Sequence, residues 1–417
     1  MKKSKSIAVV TFSRNANYGG SLQEFALFIF LKDKYKVECL DYVNPIIRAN
    51  SKAVRTSIFS AFGIIFKRII AKRTKKEGAI KKKNGNSFKL SYYLRDGLNL
   101  LGVFFSDMLN YKTRKLQINA FKQFWKEYIV YSPPYTEKEL FDSPPASYDV
   151  YLSGSDQIWN PIKFGLSRVY FLCFVPSGVR KISYASSFAN FHFDDSEQSS
   201  VIIEYLKSYN AVSVREEHSC KELMSLGISV AHVLDPTLLQ TKSDWIKSLS
   251  LKNEESRDPY VVAYAMNDHI KLYEYAKKVA NALRMNLKVI GMKNRKNSPN
   301  LEFNVEYFPC AGPREFVSLF ANASFAVTNS FHGTAFSVNF NIPFICLESN
   351  LPERIISLLN LTNLFSRQGS FKDNDAKIKD WNTDVDFSHA NNVLNTERKI
   401  AIDYLEKAIN FNEEINE

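Results

Sequence analysis

Short apolar runs alternate with helical segments along this chain, and the loops that join them are polar and carry glycine. Residues 7–12 read as a strand, 15–20 as a loop, 22–31 as a helix and 37–42 as a second strand. A strand–helix–strand opening of this kind makes the two strands parallel, because the crossover helix returns the chain to the same end of the sheet. Strands resume at 148–152, 181–184 and 211–214. The alternation then starts afresh, with strands at 230–234, 260–264, 286–290, 324–328 and 343–346 and helices at 270–283, 313–321 and 334–340. The expected fold class is α/β, with two Rossmann-like domains at residues 1–215 and 216–390. Residues 391–417 are expected to form a C-terminal helix that returns to the first domain. Such sheets hold ligands at the C-terminal ends of their strands, so the loops that follow strands are where chemistry is to be sought.

Residues 51–110 interrupt the alternation. Ile58, Phe62, Ile65 and Ile69 fall at helical spacing, and Lys67, Arg68, Lys72, Arg73, Lys75 and Lys76 crowd the same stretch. The segment reads as a helical basic insertion. Residues 52–83 hold eleven Lys or Arg against the single acid Glu77, and so carry most of the net charge of +12. The rest of the chain is close to neutral, which argues against a nucleic-acid partner. A basic amphipathic helix suits an anionic membrane surface, and residues 55–83 are expected to make such peripheral contact. An insertion helix packed on the core, with a solvated basic tail, is the other reading. No stretch nears the ~20 apolar residues of a spanning helix, and the first apolar run is too short for a signal peptide. The expected location is the cytoplasm, with contact at the inner face of the membrane. The cysteines (39, 173, 220, 310 and 346) are odd in number and lack a C-x-x-C, so no disulfide framework is expected. The histidines show no metal-ligand spacing, and no metal is assigned.

Five loops concentrate polar chemistry. Asn17-Tyr18-Gly19-Gly20-Ser21 precedes a helix, where glycines let a ligand approach backbone N–H groups; a plain helix cap is the competing reading. Gly154 to Pro161 offers Asp156, Gln157, Trp159 and Asn160, a carboxylate, two amides and an indole that together suit a sugar; Asp156 could instead cap a helix. Arg215 ends a strand, where it can hold a phosphate or carboxylate or make an interdomain ion pair. Leu234-Asp235-Pro236-Thr237 is a turn for which structural and catalytic roles are equally open. Asn329-Ser330-Phe331-His332-Gly333-Thr334 runs from a strand into a helix and sets an imidazole beside a helix start.

Taken in order, these loops and Ser183 to Phe188 resemble the polysaccharide pyruvyl transferase family. The resemblance covers most of the chain outside 51–110. It implies a glycosyltransferase-B-like arrangement with the active site between the domains. It also implies an activity in which phosphoenolpyruvate, as donor substrate and without a further cofactor, gives its pyruvyl group to two hydroxyls of one sugar. The acceptor it implies is a glycan or a lipid-linked glycan. Family members with a Ser-Arg-Leu-His-Gly turn use the Arg and His for donor binding and catalysis. Here His332 matches the histidine, while Ser330 stands where that arginine would be. Arg215 matches the family's other donor-binding arginine. Arg354, Arg314 and Lys293 are candidates to make good the missing charge.

The donor's C2 becomes electrophilic once its methylene carbon is protonated, so the site needs an acid, a base and cations for two anionic groups. The roles expected are His332 as acid/base, Asp156 as the group that takes or orients the sugar proton, and Arg215 as donor anchor. Ser330, Gly333 and Thr334 at the helix start are expected to cradle an anion. Asn17, Tyr18, Gln157, Trp159 and Asn160 are expected to position the acceptor. Two other functions fit the same residues: a nucleotide-sugar glycosyltransferase of this fold, and a glycan-binding protein that consumes no donor.

Overall fold

The computed structural model describes residues 4–42, 44–45, 111–145, 147–194, 196–252, 258–266, 269–291, 304–347, 352–381 and 384–410. The basic insertion expected at 51–110, with its membrane-facing stretch 55–83, lies outside these residues, as does Lys293. None of the described helices is long and apolar enough to cross a membrane.

The protein is a two-lobed α/β structure. In the first lobe β1 (Ser6–Val10), β2 (Lys36–Tyr42), β3 (Tyr131–Tyr135), β4 (Val150–Ser153) and β5 (Arg180–Ser183) form a sheet in the order β3-β2-β1-β4-β5, with all pairs parallel. The central strands are runs of Val, Ile, Ala and Leu because both faces of the sheet are covered. β3 holds Pro133 and Pro134, which an edge strand tolerates because one side needs no ladder donors. A parallel pair, β6 (Ser213–Val214) and β7 (Ala231–His232), extends this sheet through the bridges Ile182↔Ala211 and Ser186↔Val214.

The second lobe is built on β8 (Tyr260–Tyr264), β9 (Asn286–Ile290), β10 (Val305–Tyr307), β11 (Phe325–Thr328), β12 (Phe344–Leu347) and β13 (Gln368–Gly369). Their order is β10-β9-β8-β11-β12-β13, again all parallel. The expected domain boundary at 216 is corrected. The Glu217–Ser225 helix and β7 complete a strand–helix–strand unit on the first lobe, where Cys220, Leu223 and Val230 pack into one core with Ala8, Val10 and Tyr151.

Each sheet reverses its strand order once, between β1 and β4 in the first lobe and between β8 and β11 in the second. Side chains at the C-terminal ends of these strands therefore face the crevice between the lobes. Helix α1 (Tyr18–Lys32) leaves β1 and lies along that crevice. Tyr18 stacks on Phe316 of the Pro313–Ala321 helix at 4.7 Å, and Phe25 lies 5.5 Å from Trp245. One hydrophobic core thus runs through both lobes. The C-terminal helix, Ser388–Asn410, packs against the first lobe. Lys5 Nζ donates to the Ile409 carbonyl at 3.1 Å and the Tyr404 hydroxyl to the Ser183 carbonyl at 2.9 Å.

Candidate active site

The start of α1 forms one wall of the crevice. Asn17 caps it, its side chain accepting from the Gly20 N–H at 3.1 Å. In the first turn, Gly19 is a glycine for a steric reason. A Cβ on Gly19 would meet His332 Nδ1, from the other lobe, at 2.1 Å, and one on Gly20 would lie 3.5 Å from Asp156 Oδ2. Asp156 follows β4 with φ 73° and ψ 177°, a conformation that costs a residue with a side chain roughly 1–3 kcal/mol. Its own carboxylate accepts from the Gln157 N–H at 2.9 Å, and its carbonyl accepts from the Ser187 N–H at 3.1 Å, which hold it there.

Opposite lies a buried ionic cluster. Arg215 leaves the end of β6 and donates from Nη1 to Asp235 Oδ2 at 2.6 Å. Its Nε lies 3.4 Å from Glu216 Oε1, and its Nη2 lies 4.0 Å from Asp156 Oδ1. Asp235 is the hub. Its Oδ1 accepts from the Thr237 N–H at 2.9 Å and the Thr237 hydroxyl at 2.7 Å, while Oδ2 also accepts from Ser155 Oγ at 3.1 Å. His332 Nε2 lies 3.9 Å from that same Oδ2. Three buried atoms of this cluster have no hydrogen-bond partner: Arg215 Nη2, Glu216 Oε2 and His332 Nε2. A buried polar atom left unpaired is costly, so these atoms mark where a ligand would find partners.

Burial sets the charge states. It works against the Asp235 carboxylate, but Arg215, His332 and the Thr237 bonds outweigh it and hold the group down at about 2. Burial pushes His332 down to about 4, with Arg215 and Arg354 adding to the shift and Asp235 and Asp156 opposing it. The imidazole is therefore neutral at neutral pH. Burial likewise opposes the charge on Arg215, yet Asp235, Glu216 and Asp156 raise it overall.

Arg354 brings a second guanidinium. It stands in the first turn of the Glu353–Leu361 helix, its Cζ over the Phe331 ring at 5.6 Å, with Arg215 Cζ over the same ring at 4.8 Å. The Gln157 amide, turned with its oxygen toward the guanidinium, accepts from Arg354 Nη2 at 3.2 Å. Of the other candidate cations, Arg314 is spent on the Leu249 and Ser250 carbonyls at 3.0 and 2.9 Å.

Arg215, Asp156, His332 and Gln157 thus come together, but several expected site residues have other duties. Trp159 is 0% exposed; its N–H donates to the Tyr170 carbonyl at 3.1 Å and its ring stacks on Phe171, so it is a core side chain and offers no face to a sugar. The Tyr18 hydroxyl donates to the Ala311 carbonyl at 2.8 Å and ties the lobes together. The Asn160 side chain caps the short Pro161–Phe164 helix, accepting from Ile162 and Lys163 N–H groups. Ser330 accepts from the Gly333 N–H at 3.4 Å, and the buried Thr334 hydroxyl donates to the Ser330 carbonyl at 3.0 Å. Gly333 is required because a Cβ would meet Thr328 Oγ1 at 2.3 Å. The anion cradle expected from Ser330, Gly333 and Thr334 is therefore corrected to a self-satisfied helix cap. Sequence reasoning left Asp235 undecided and missed Glu216. The Asp-Pro-Thr order, whose carboxylate closes on its own Thr, was the available signal for the hub.

The sequence profile of the polysaccharide pyruvyl transferase family matches residues 17–350. Among curated proteins none matches the sequence. Among solved structures, UDP-GlcNAc 2-epimerase from Neisseria meningitidis bound to UDP-GlcNAc is similar, at 10% identity over 97% of this chain and 100% of that one, with a TM-score of 0.50. The S. aureus MnaA–UDP co-structure is similar at 12% identity over 97% of both chains, also with a TM-score of 0.50. At such identities the likeness is one of two-lobed fold alone. The profile, by contrast, runs from the cap of α1 through Asp156, Arg215, Asp235 and His332 to just past β12, and the chain belongs to the polysaccharide pyruvyl transferase family.

Proposed function

We propose that this protein transfers a pyruvyl group from phosphoenolpyruvate to a sugar of a surface polysaccharide, or of its lipid-linked precursor, and closes it as a ketal. The observation that carries this reading is the gathering of two guanidiniums and a neutral imidazole in one crevice, with Arg215 Nη2 and His332 Nε2 left unpaired. A small donor with a phosphate and a carboxylate matches that charge. A neutral imidazole can accept a proton from an attacking hydroxyl. Over the whole reaction one sugar hydroxyl's proton ends on the donor's methylene carbon, making it a methyl, and the other's leaves with phosphate. Two new C–O bonds to C2 replace the bond to phosphate and the C=C π bond. In this reading Asp156, 4.0 Å from Arg215 Nη2, takes or orients the proton of the acceptor's hydroxyl. The basic residues 55–83 fit an acceptor anchored at an anionic membrane surface.

The likeness in fold to proteins solved with UDP or UDP-GlcNAc supports a nucleotide-sugar glycosyltransferase as the second reading. One experiment separates the two. The protein is incubated with phosphoenolpyruvate or with UDP-sugars, each with a panel of lipid-linked glycans. Phosphate release with a pyruvyl adduct on the glycan is expected. Nucleotide release without it establishes the second reading, and release of neither leaves the glycan-binding reading.

A further inference from the structure

The arginine that family members carry in the His-Gly turn is absent here, and Ser330 in its place only caps a helix. We propose that Arg354 binds the anionic donor in this protein and supplies the charge Ser330 lacks. The inference rests on the pyruvyl-transfer reading. Arg354 lies just beyond the residues that the family profile matches, which end at 350.

Three observations support it. First, Arg354 and Arg215 line one cavity, together with His232, Asp235, Phe331 and Ser357. Both guanidiniums also lie over the same Phe331 ring, at 4.8 and 5.6 Å, so they face a common space. Second, their charges are not equally available. Arg215 has Asp235, Glu216 and Asp156 at 2.6, 3.4 and 4.0 Å, so much of its charge is already met. Arg354 makes no ion pair among the described residues; the partner it has is the neutral Gln157 amide. An incoming anion gains more from the cation that holds no carboxylate in direct contact. Third, burial and the neighbouring Arg215 push Arg354 down to about 10, with Asp156, Glu216 and Asp235 offsetting this only in part, the sign of a cation whose surroundings do not fully balance it. Gln157 belongs to the first lobe and Arg354 to the second, so the amide holds the guanidinium across the crevice until the donor takes its place.

The test is calorimetric titration of phosphoenolpyruvate into the full-length wild type and into Arg354→Gln, Arg354→Lys and Gln157→Glu. Arg354→Gln is expected to weaken binding by roughly 10–100-fold, the loss of a charge-assisted bidentate contact. Arg354→Lys keeps the charge without the fork and is expected to recover part of it. Gln157→Glu sets a carboxylate against Arg354 and is expected to weaken binding in a salt-dependent way. Wild-type affinity in Arg354→Gln overturns the inference and leaves the proposed function standing. If that variant does not fold, unchanged affinity in Gln157→Glu overturns it. A wild type that binds no phosphoenolpyruvate removes the proposed function and this inference with it.

Discussion

Arg215 and His332, from the two halves of the chain, close on one oxygen: Asp235 Oδ2 lies 2.6 Å from the arginine Nη1 and 3.9 Å from the histidine Nε2. The carboxylate balances a buried guanidinium and at the same time favours protonation of the imidazole. Asp235→Asn keeps the shape and removes the charge. Breaking one side of a buried ion pair costs about 3–5 kcal/mol, and denaturant unfolding at pH 7 is expected to show a loss of that order. The His332 pKa is expected to fall further, because the neighbour that raises it is gone. A variant as stable as the wild type would mean that Glu216 and Asp156 alone suffice for Arg215.

His332 itself gives a pH signature. Its pKa is about 4 in the folded protein, against about 6.5 for an unperturbed histidine. Between these values the unfolded chain binds the extra proton, so stability rises with pH from about 4 to about 6.5 and is fully present above that. The swing is on the order of 3 kcal/mol. His332→Gln is expected to flatten this part of the stability–pH profile, measured by urea unfolding at each pH. NMR of ring-labelled histidine is expected to show a resonance that stays neutral down to about pH 4 and moves up when phosphoenolpyruvate binds. A ring that titrates near 6.5 in the free protein contradicts the buried, neutral imidazole.

Much of this arrangement was legible in the sequence where local pattern decides structure. The strands at 260–264 and 286–290 and the helix at 313–321 lie on the residues expected, because apolar periodicity and a Gly-Pro start suffice to define them. Two helices start earlier than expected, at Tyr18 and Phe331, since Asn17 and Ser330 act as caps and draw glycines into the first turn. β3 was missed because Pro133 and Pro134 argue against any strand except one at an edge, and edge position is a tertiary fact. Trp159 failed as a sugar platform for the same kind of reason. Asp156, Gln157 and Asn160 lie close to it in sequence, but its neighbours in space are Phe171, Phe188 and Tyr209. Arg354 belongs to no motif, and only the meeting of the lobes shows what it faces.

Glu24 predicts the opposite pH response. It is fully buried in α1; the Tyr131 hydroxyl donates to its Oε2 at 3.0 Å, while its Oε1 has no partner. Burial raises its pKa to about 8, with Ser13, Tyr131, Cys39 and Arg14 pulling the other way. The folded protein thus holds a proton that the unfolded chain loses near 4.5. Stability from this group is fully present below that pH and is lost as pH rises through about 8. Glu24→Gln keeps the shape and cannot ionise. It is expected to match the wild type at pH 5 and to exceed it at pH 9 by an amount on the order of a few kcal/mol. Parallel thermal melts at the two pH values decide it: equal differences at both would show that Glu24 does not titrate in this range.

Gly19 packs directly against His332 across the crevice. Its backbone needs no glycine, yet a Cβ there would lie 2.1 Å from His332 Nδ1 and 2.4 Å from Cε1. The imidazole is itself packed between the lobes and 7% exposed, so it cannot swing away freely. Gly19→Ala is therefore expected to displace the ring, at a strain of about 1–3 kcal/mol, and to lower turnover by roughly 10²-fold or more. Alanine is also the better helix former by about 1 kcal/mol, so the clash is measured against a background that favours the substitution. The double-mutant cycle isolates it. In a His332→Ala background the ring is gone, and Gly19→Ala is expected to stabilise the protein. If Gly19→Ala costs the same with and without the imidazole, the two residues are not in contact and the crevice is wider than described.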